Sequence, residues 1–167
     1  MERKPTVYVE TTIPSYLTSD PSRDLIIAAN QQITHTWWRT AGETYRLVTS
    51  QAVVDEAGRG NLVMAAKRLE ILNTIEILVP NEDVEELIDV YQRQLGLTGV
   101  AMLDIVHIAY AAAYNVEGLA TWNCSHIANM QVIRRLQRLN ATLGRPTPEI
   151  TTPQILAGLP AITGDKP

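Results

Sequence analysis

Cysteine is nearly absent from this chain: Cys124 is the single one among 167 residues. That excludes an internal disulfide and a cysteine-rich zinc site, and it points to a reducing, cytoplasmic compartment. No apolar run reaches the roughly 18 residues that a membrane span needs. Met1-Glu2-Arg3-Lys4-Pro5 leads into a short apolar run closed by Glu10, which is not the apolar core of a signal peptide. An excess of basic charge is missing as well: 14 Lys and Arg stand against 18 Asp and Glu, a net charge of −4. Coating nucleic acid by bulk charge alone is thereby excluded. There is no repeat, no low-complexity tract and no interdomain linker, and a content of 46% hydrophobic and 19% charged residues excludes disorder for the chain as a whole. The length suits a single domain over 1–167, with a core over about 5–157 and a tail over 158–167.

The charges that are present are unevenly spread. Residues 76–89 carry six acids and no Lys or Arg. Residues 118–148 carry no acid at all, but do carry Arg134, Arg135, Arg138, Arg145 and His126. Such blocks are either solvated helix faces or, for the second, a basic surface for a polyanion or an acidic partner.

Apolar periodicity alternates between strand and helix. Thr6-Val7-Tyr8-Val9 predicts a buried strand, followed by a short helix through Ile13 and Leu17 with Pro14 in its first turn. Asp20-Pro21 predicts the cap and first residue of a helix whose stripe is Leu25, Ala29, Ile33, Trp37 and Thr40. The strand at 46–49 leads to Ser50, a cap for a helix that stops near Gly58 and Gly60. Leu62, Ala66, Leu69 and Leu72 mark the next helix, then a strand at 75–79. Val84, Leu87, Ile88, Tyr91 and Leu95 form an amphipathic stripe. A strand at 118–122, a helix with the stripe Ile127, Met130, Ile133 and Leu136, a weak strand at 149–151 and a short helix capped at Thr152-Pro153 complete the chain. Strands separated by helices require crossovers. The expected fold is therefore α/β, a three-layer sandwich whose central, mainly parallel sheet of four to five strands has helices on both faces. Ligands of such sheets bind beyond the carboxyl ends of the strands, where Glu10 and Asn123 fall.

Between 100 and 114 nearly every residue is apolar, with Asp104 and His107 as the main interruptions and Thr98 as a candidate cap. A helix apolar on all sides is a buried helix, so Asp104 loses much of its hydration and needs a partner. His107 follows one turn later on the same side, where a hydrogen-bonded core histidine is the ordinary role. Glu56 follows Ala52-Val53-Val54 where an apolar residue would pack, and Glu10 ends an apolar strand, able to cap the next helix through Thr11-Thr12. If these carboxylates converge, they raise one another's pKa, and a hard divalent cation relieves the repulsion. Mg2+ or Mn2+ suits such an oxygen set, and hydrolysis of a phosphodiester is the chemistry it serves.

The four segments resemble the motifs of the PIN-domain family, and within it the VapC-type toxins of type II toxin–antitoxin pairs. The segments are Val7-Tyr8-Val9-Glu10-Thr11-Thr12, Ser50-Gln51-Ala52-Val53-Val54-Asp55-Glu56, Leu103-Asp104-Ile105-Val106-His107-Ile108-Ala109 and Thr121-Trp122-Asn123-Cys124-Ser125-His126-Ile127-Ala128-Asn129. The likeness implies a Mg2+- or Mn2+-dependent endoribonuclease in which Glu10, Glu56 and Asp104 hold the metal and Asn123 completes the catalytic set. It also implies an RNA substrate, an antitoxin partner and a homodimer, with no membrane. Thr11, Ser50, His107, Thr121, His126, Asn129, Arg134 and Arg138 are candidate substrate-binding residues, and Trp37 or Trp38 a candidate contact with a partner. The chain departs from the family pattern at Glu10, where Asp is usual, and at Asn123, where many members have an acid, so one ion rather than two is expected. Two other readings stay open. One is a non-catalytic PIN-like interaction or RNA-binding module. The other is a nucleotide-binding α/β protein, disfavoured because GxGxxG and GxxxxGK[ST] are both missing.

Overall fold

Four consecutive buried residues make β1 (Thr6–Val9) a strand covered on both faces, which is where β-branched and aromatic side chains pack best. In the computed structural model, which describes residues 3–95 and 101–158, β1 is the middle of a five-stranded sheet. After it come α1 (Thr12–Thr18), α2 (Leu25–Thr44), β2 (Arg46–Ser50), α3 (Gln51–Ala57) and α4 (Leu62–Leu72). Next are β3 (Glu76–Leu78), α5 (Glu82–Leu95), α6 (Met102–Ala113) and β4 (Gly118–Ala120). The described chain ends with α7 (Met130–Thr142), β5 (Glu149–Thr151) and α8 (Pro153–Leu156).

The strand order is β3-β2-β1-β4-β5 and every pairing is parallel. Tyr8 lies opposite Val48 on one side and Leu119 on the other. Alternation along β1 divides the core. Tyr8, with Val48 and Leu119, faces a large cluster built from α3, α5, α6 and α7, whereas Val7 and Val9, with Ala120, face a smaller one containing Ile13, Trp37 and Ala41. The result is the expected three-layer α/β sandwich, with a fully parallel sheet and eight helices among the described residues. From β1 the chain builds outward through β2 and β3, then crosses back to add β4 and β5 on the opposite side. The reversal falls between β1 and β4, and the region beyond the carboxyl ends of such strands is where open α/β sheets bind ligands. No helix among the described residues is long and apolar enough to cross a membrane.

Most elements fall where periodicity places them, and Ser50 caps α3 by accepting from the Val53 N–H. Helix α2 departs from expectation. Its cap is Asp24, not Asp20, with the carboxylate accepting from the N–H groups of Ile26 and Ile27. Its buried face is Gln31, Thr34, Trp37 and Ala41, while Leu25 is 85% exposed. Polar partners explain the switch. Gln31 accepts from Ser22 N–H and donates to the Asp20 carbonyl, and Thr34 donates to the Asn30 carbonyl. In α4 Leu72 is buried as expected, but Leu62 and Ala66 are exposed and Ala65 is buried in their place. In α7 Met130 is exposed, and Ile127 is buried in the loop before the helix starts. Trp37 is buried and Trp38 half-buried, with their rings edge to face, so Trp37 has no surface to offer a partner. Helix α6 is buried from Asp104 to Ala112 except at Val106. Thr98 and Val100, read as its start, lie outside the described residues.

Candidate active site

Glu10 extends β1 by one residue, its N–H donating to the Ala120 carbonyl of β4 at 3.2 Å. Its Oε2 accepts from Thr12 N–H at 3.1 Å, Thr12 Oγ1 at 2.6 Å and Thr121 Oγ1 at 2.9 Å. The carboxylate therefore caps α1 and also ties β1 to the loop that leaves β4. Thr121 Oγ1 in turn accepts from Asn123 N–H. Asn123 Nδ2 donates to Asp104 Oδ1 at 3.1 Å, and His126 Nδ1 lies 3.1 Å from Asp104 Oδ2. Asp104, in the first turn of α6, thus finds both partners, the Asn123 amide and the His126 imidazole, on the loop after β4.

The third carboxylate, Glu56, stands at the end of α3 with 28% of its side chain exposed. Its Oε2 accepts from Thr11 Oγ1 at 2.6 Å and lies 3.2 Å from His107 Nε2. His107 is 1% exposed. Its other nitrogen, Nδ1, is 3.0 Å from Tyr8 Oη, and Tyr8 Oη is 2.7 Å from Ser50 Oγ, the cap of α3. A carboxylate only accepts, so Nε2 carries the proton toward Glu56. In the neutral ring Nδ1 then accepts from Tyr8, and Ser50 donates to Tyr8. The chain of donors runs from the cap of α3, through the sheet, to a carboxylate at the end of the same helix. Glu56 is held below the ordinary carboxylate range, first by the His107 hydrogen bond, against burial, and further by the Thr11 hydrogen bond and the Arg59 charge. This is opposite to the mutual raising of pKa expected for crowded carboxylates. Burial pushes the Tyr8 phenol well up, partly offset by Ser50, so it remains protonated.

The described structure thus holds these residues in two hydrogen-bonded sets at the carboxyl end of the sheet, Glu10, Thr121, Asn123, Asp104 and His126 in one and Thr11, Ser50, Glu56 and His107 in the other. Ser50, His107 and Thr121 are closed to solvent. Asn129 stands apart as the cap of α7, accepting from Gln131 N–H. Arg134 and Arg138 are exposed on α7, while Arg145 is paired with Asp83 of the acidic stretch. Thr12 serves the cap expected of Glu10, whereas Tyr8 belongs to the network and has no site role in the sequence reading. The available signal for Tyr8 is a polar tip in an otherwise apolar strand, two residues before Glu10.

No family model and no curated protein matches the chain. Chains of solved structures do, among them the three that follow. A chain in VapBC2 from Rickettsia felis, bound to a DNA fragment from the promoter, is 14% identical with a TM-score of 0.60, covering 88% of this chain and 98% of that one. A chain in VapBC-1 from nontypeable Haemophilus influenzae is 18% identical with a TM-score of 0.56, covering 89% and 98%. VapC20 from Mycobacterium tuberculosis, a sarcin–ricin loop cleaving toxin, is 13% identical with a TM-score of 0.54, covering 71% and 90%. The fold is that of a VapC-type PIN domain. Identities this low establish the fold alone.

In this PIN-type fold the donor set fits a hard divalent cation in kind: carboxylates, hydroxyls and an amide carbonyl, with no thiolate pair. Among the described residues, Glu10 Oε1 and Glu56 Oε1 have no hydrogen-bond partner and keep free lone pairs. The carboxylates are nevertheless spaced by neutral donors. Among the described residues no three of His, Cys, Asp and Glu are grouped closely enough to form a ready metal cluster.

Proposed function

We infer that this chain is a Mg2+- or Mn2+-dependent endoribonuclease and the toxin of a type II toxin–antitoxin pair, built as a single domain. The observation that supports this most is that Glu10 after β1, Glu56 of α3 and Asp104 of α6 are each held by hydrogen bonds at the carboxyl end of a VapC-type sheet. Glu10, Glu56 and Asp104 would hold the cation, which when bound supplies an activated water and a stabilised leaving oxygen. Thr12 and Thr121 fix Glu10, and Thr11 and His107 keep Glu56 ionised. With its pKa lowered, Glu56 suits holding a cation better than taking a proton. Asn123 and His126 orient Asp104 from the loop that would face the substrate. Arg134 and Arg138, one turn apart on α7, would guide the phosphate backbone, adding affinity but little sequence choice. The partners under this reading are RNA, a cognate antitoxin and a second copy of the chain.

The non-catalytic PIN-like module remains as a second reading, because the three carboxylates are not grouped as ready ligands. One experiment separates the two. A ligand that binds only the native state raises the melting temperature by mass action. Mn2+ should raise it in wild type and not in Asp104→Asn, and wild type should cleave a mixed RNA pool only with the metal. Equal Mn2+ shifts in both proteins, or no cleavage with the metal, would refute the nuclease.

A further inference from the structure

Two aromatic rings stand beside the carboxylates without serving the hydrogen-bond network. Tyr16 of α1 and Trp122, between Thr121 and Asn123, are stacked with ring centroids 6.1 Å apart and planes 18° from parallel. Both are only partly buried. Trp122 is held at two points. Its indole N–H donates to Thr34 Oγ1 of α2 at 2.8 Å, and its backbone N–H to Thr12 Oγ1 at 2.9 Å. Thr12 Oγ1 is the same atom that donates to Glu10 at 2.6 Å. The ring pair is therefore fixed in register with the first carboxylate of the site.

The hydroxyls of Tyr16 and Tyr110 have no hydrogen-bond partner among the described residues, in contrast to those of Tyr8, Tyr45, Tyr91 and Tyr114. The stack on Trp122 places the Tyr16 ring against the loop after β4. A tyrosine whose only task was to cover an indole could be any apolar residue. A rigid aromatic face with a free polar tip, next to acids suited to a phosphodiester, has the features of a base-stacking platform. Single-stranded RNA is recognised by such stacking, and every base has a π-face to offer.

We propose that Tyr16 and Trp122 form a stacking subsite for a nucleobase of the RNA, adjacent to the phosphate at the carboxylates. The proposal rests on the nuclease reading above and specifies how its substrate is held. Trp122 packs into the smaller core cluster, so Tyr16 is the position to vary. A short fluorescein-labelled single-stranded RNA, with Ca2+ replacing Mg2+, serves as probe, and anisotropy reads its affinity. Tyr16→Phe should bind within about two-fold of wild type, because the π-face is retained. Tyr16→Leu keeps an apolar cover on the indole and should bind about 5- to 100-fold more weakly. In a series of the same RNA with one abasic residue moved along it, wild type should lose a similar factor at one position, and Tyr16→Leu should lose little there. If wild type binds and cleaves RNA but Tyr16→Leu binds equally well, the stacking subsite is refuted while the nuclease stands, and the rings are a structural or protein-facing surface. If wild type neither binds nor cleaves RNA, both readings are refuted.

Discussion

His107→Leu tests the buried link between the two helices that carry Glu56 and Asp104. Leucine is close to histidine in volume, so the substitution removes polar contacts without opening a large cavity. Two hydrogen bonds are lost, one to an ionised carboxylate at 3.2 Å and one to a phenol at 3.0 Å. A bond to a charged group contributes about 1.5–3 kcal/mol and a neutral one about 0.5–1.5 kcal/mol. Glu56 keeps Thr11 and is partly open to water, while the Tyr8 hydroxyl loses its acceptor and keeps only the contact with Ser50. The expected loss is therefore about 2–3 kcal/mol at neutral pH. For a chain of this size that corresponds to a fall of roughly 4–12 °C in melting temperature. The pH dependence carries the sharper information. Glu56 titrates below its ordinary value of 4.5 in the folded chain, with the His107 hydrogen bond as the largest cause. A carboxylate with a lowered folded pKa contributes stability that is full above the ordinary value and disappears as pH falls through the folded value. The gap between wild type and His107→Leu should narrow as pH drops below about 4.5. Urea unfolding at several pH values measures it, and a cycle with Glu56→Gln isolates the pair. A gap under about 0.5 kcal/mol at neutral pH, or one that does not narrow in acid while the cycle shows no coupling, would refute the argument.

Three further outcomes are expected. Asp24→Ala should cost about 1 kcal/mol and Asp20→Ala close to nothing by thermal denaturation, because the cap of α2 is Asp24. Thr34→Val should cost about 1–2 kcal/mol by urea unfolding, since it strips the acceptor from the Trp122 indole N–H. Replacing Arg134 and Arg138 together with Gln should weaken RNA binding and flatten its salt dependence, with Mn2+ affinity unchanged by calorimetry. An RNA affinity and salt slope equal to wild type would place the phosphate path elsewhere.

Local pattern was enough to mark much of this molecule. The β-branched run at β1, the stripe of α5 and the apolar sequence of α6 each report burial through a periodicity of a few residues. Glu10 and Asp104 were legible for the same reason: each is a carboxylate where the surrounding pattern demands an apolar side chain, and each is nearly closed to solvent. Ser50 as a cap followed from its place between strand and helix. Where a burial choice depended on a distant partner, the sequence was silent. The inner face of α2 is set by Gln31 and Thr34, and Thr34 is matched by Trp122, eighty-eight positions later. Tyr8 reaches Ser50 and His107 only because β2 and α6 are brought against β1. The strand order β3-β2-β1-β4-β5 likewise depends on which helices fill the two faces. Parallel strands leave no turn motif between neighbours to reveal their pairing. Hydrophobic period is a property of adjacent residues and survives in the sequence. The satisfaction of a buried polar group is a property of two chain segments at once, and only the folded arrangement brings them together.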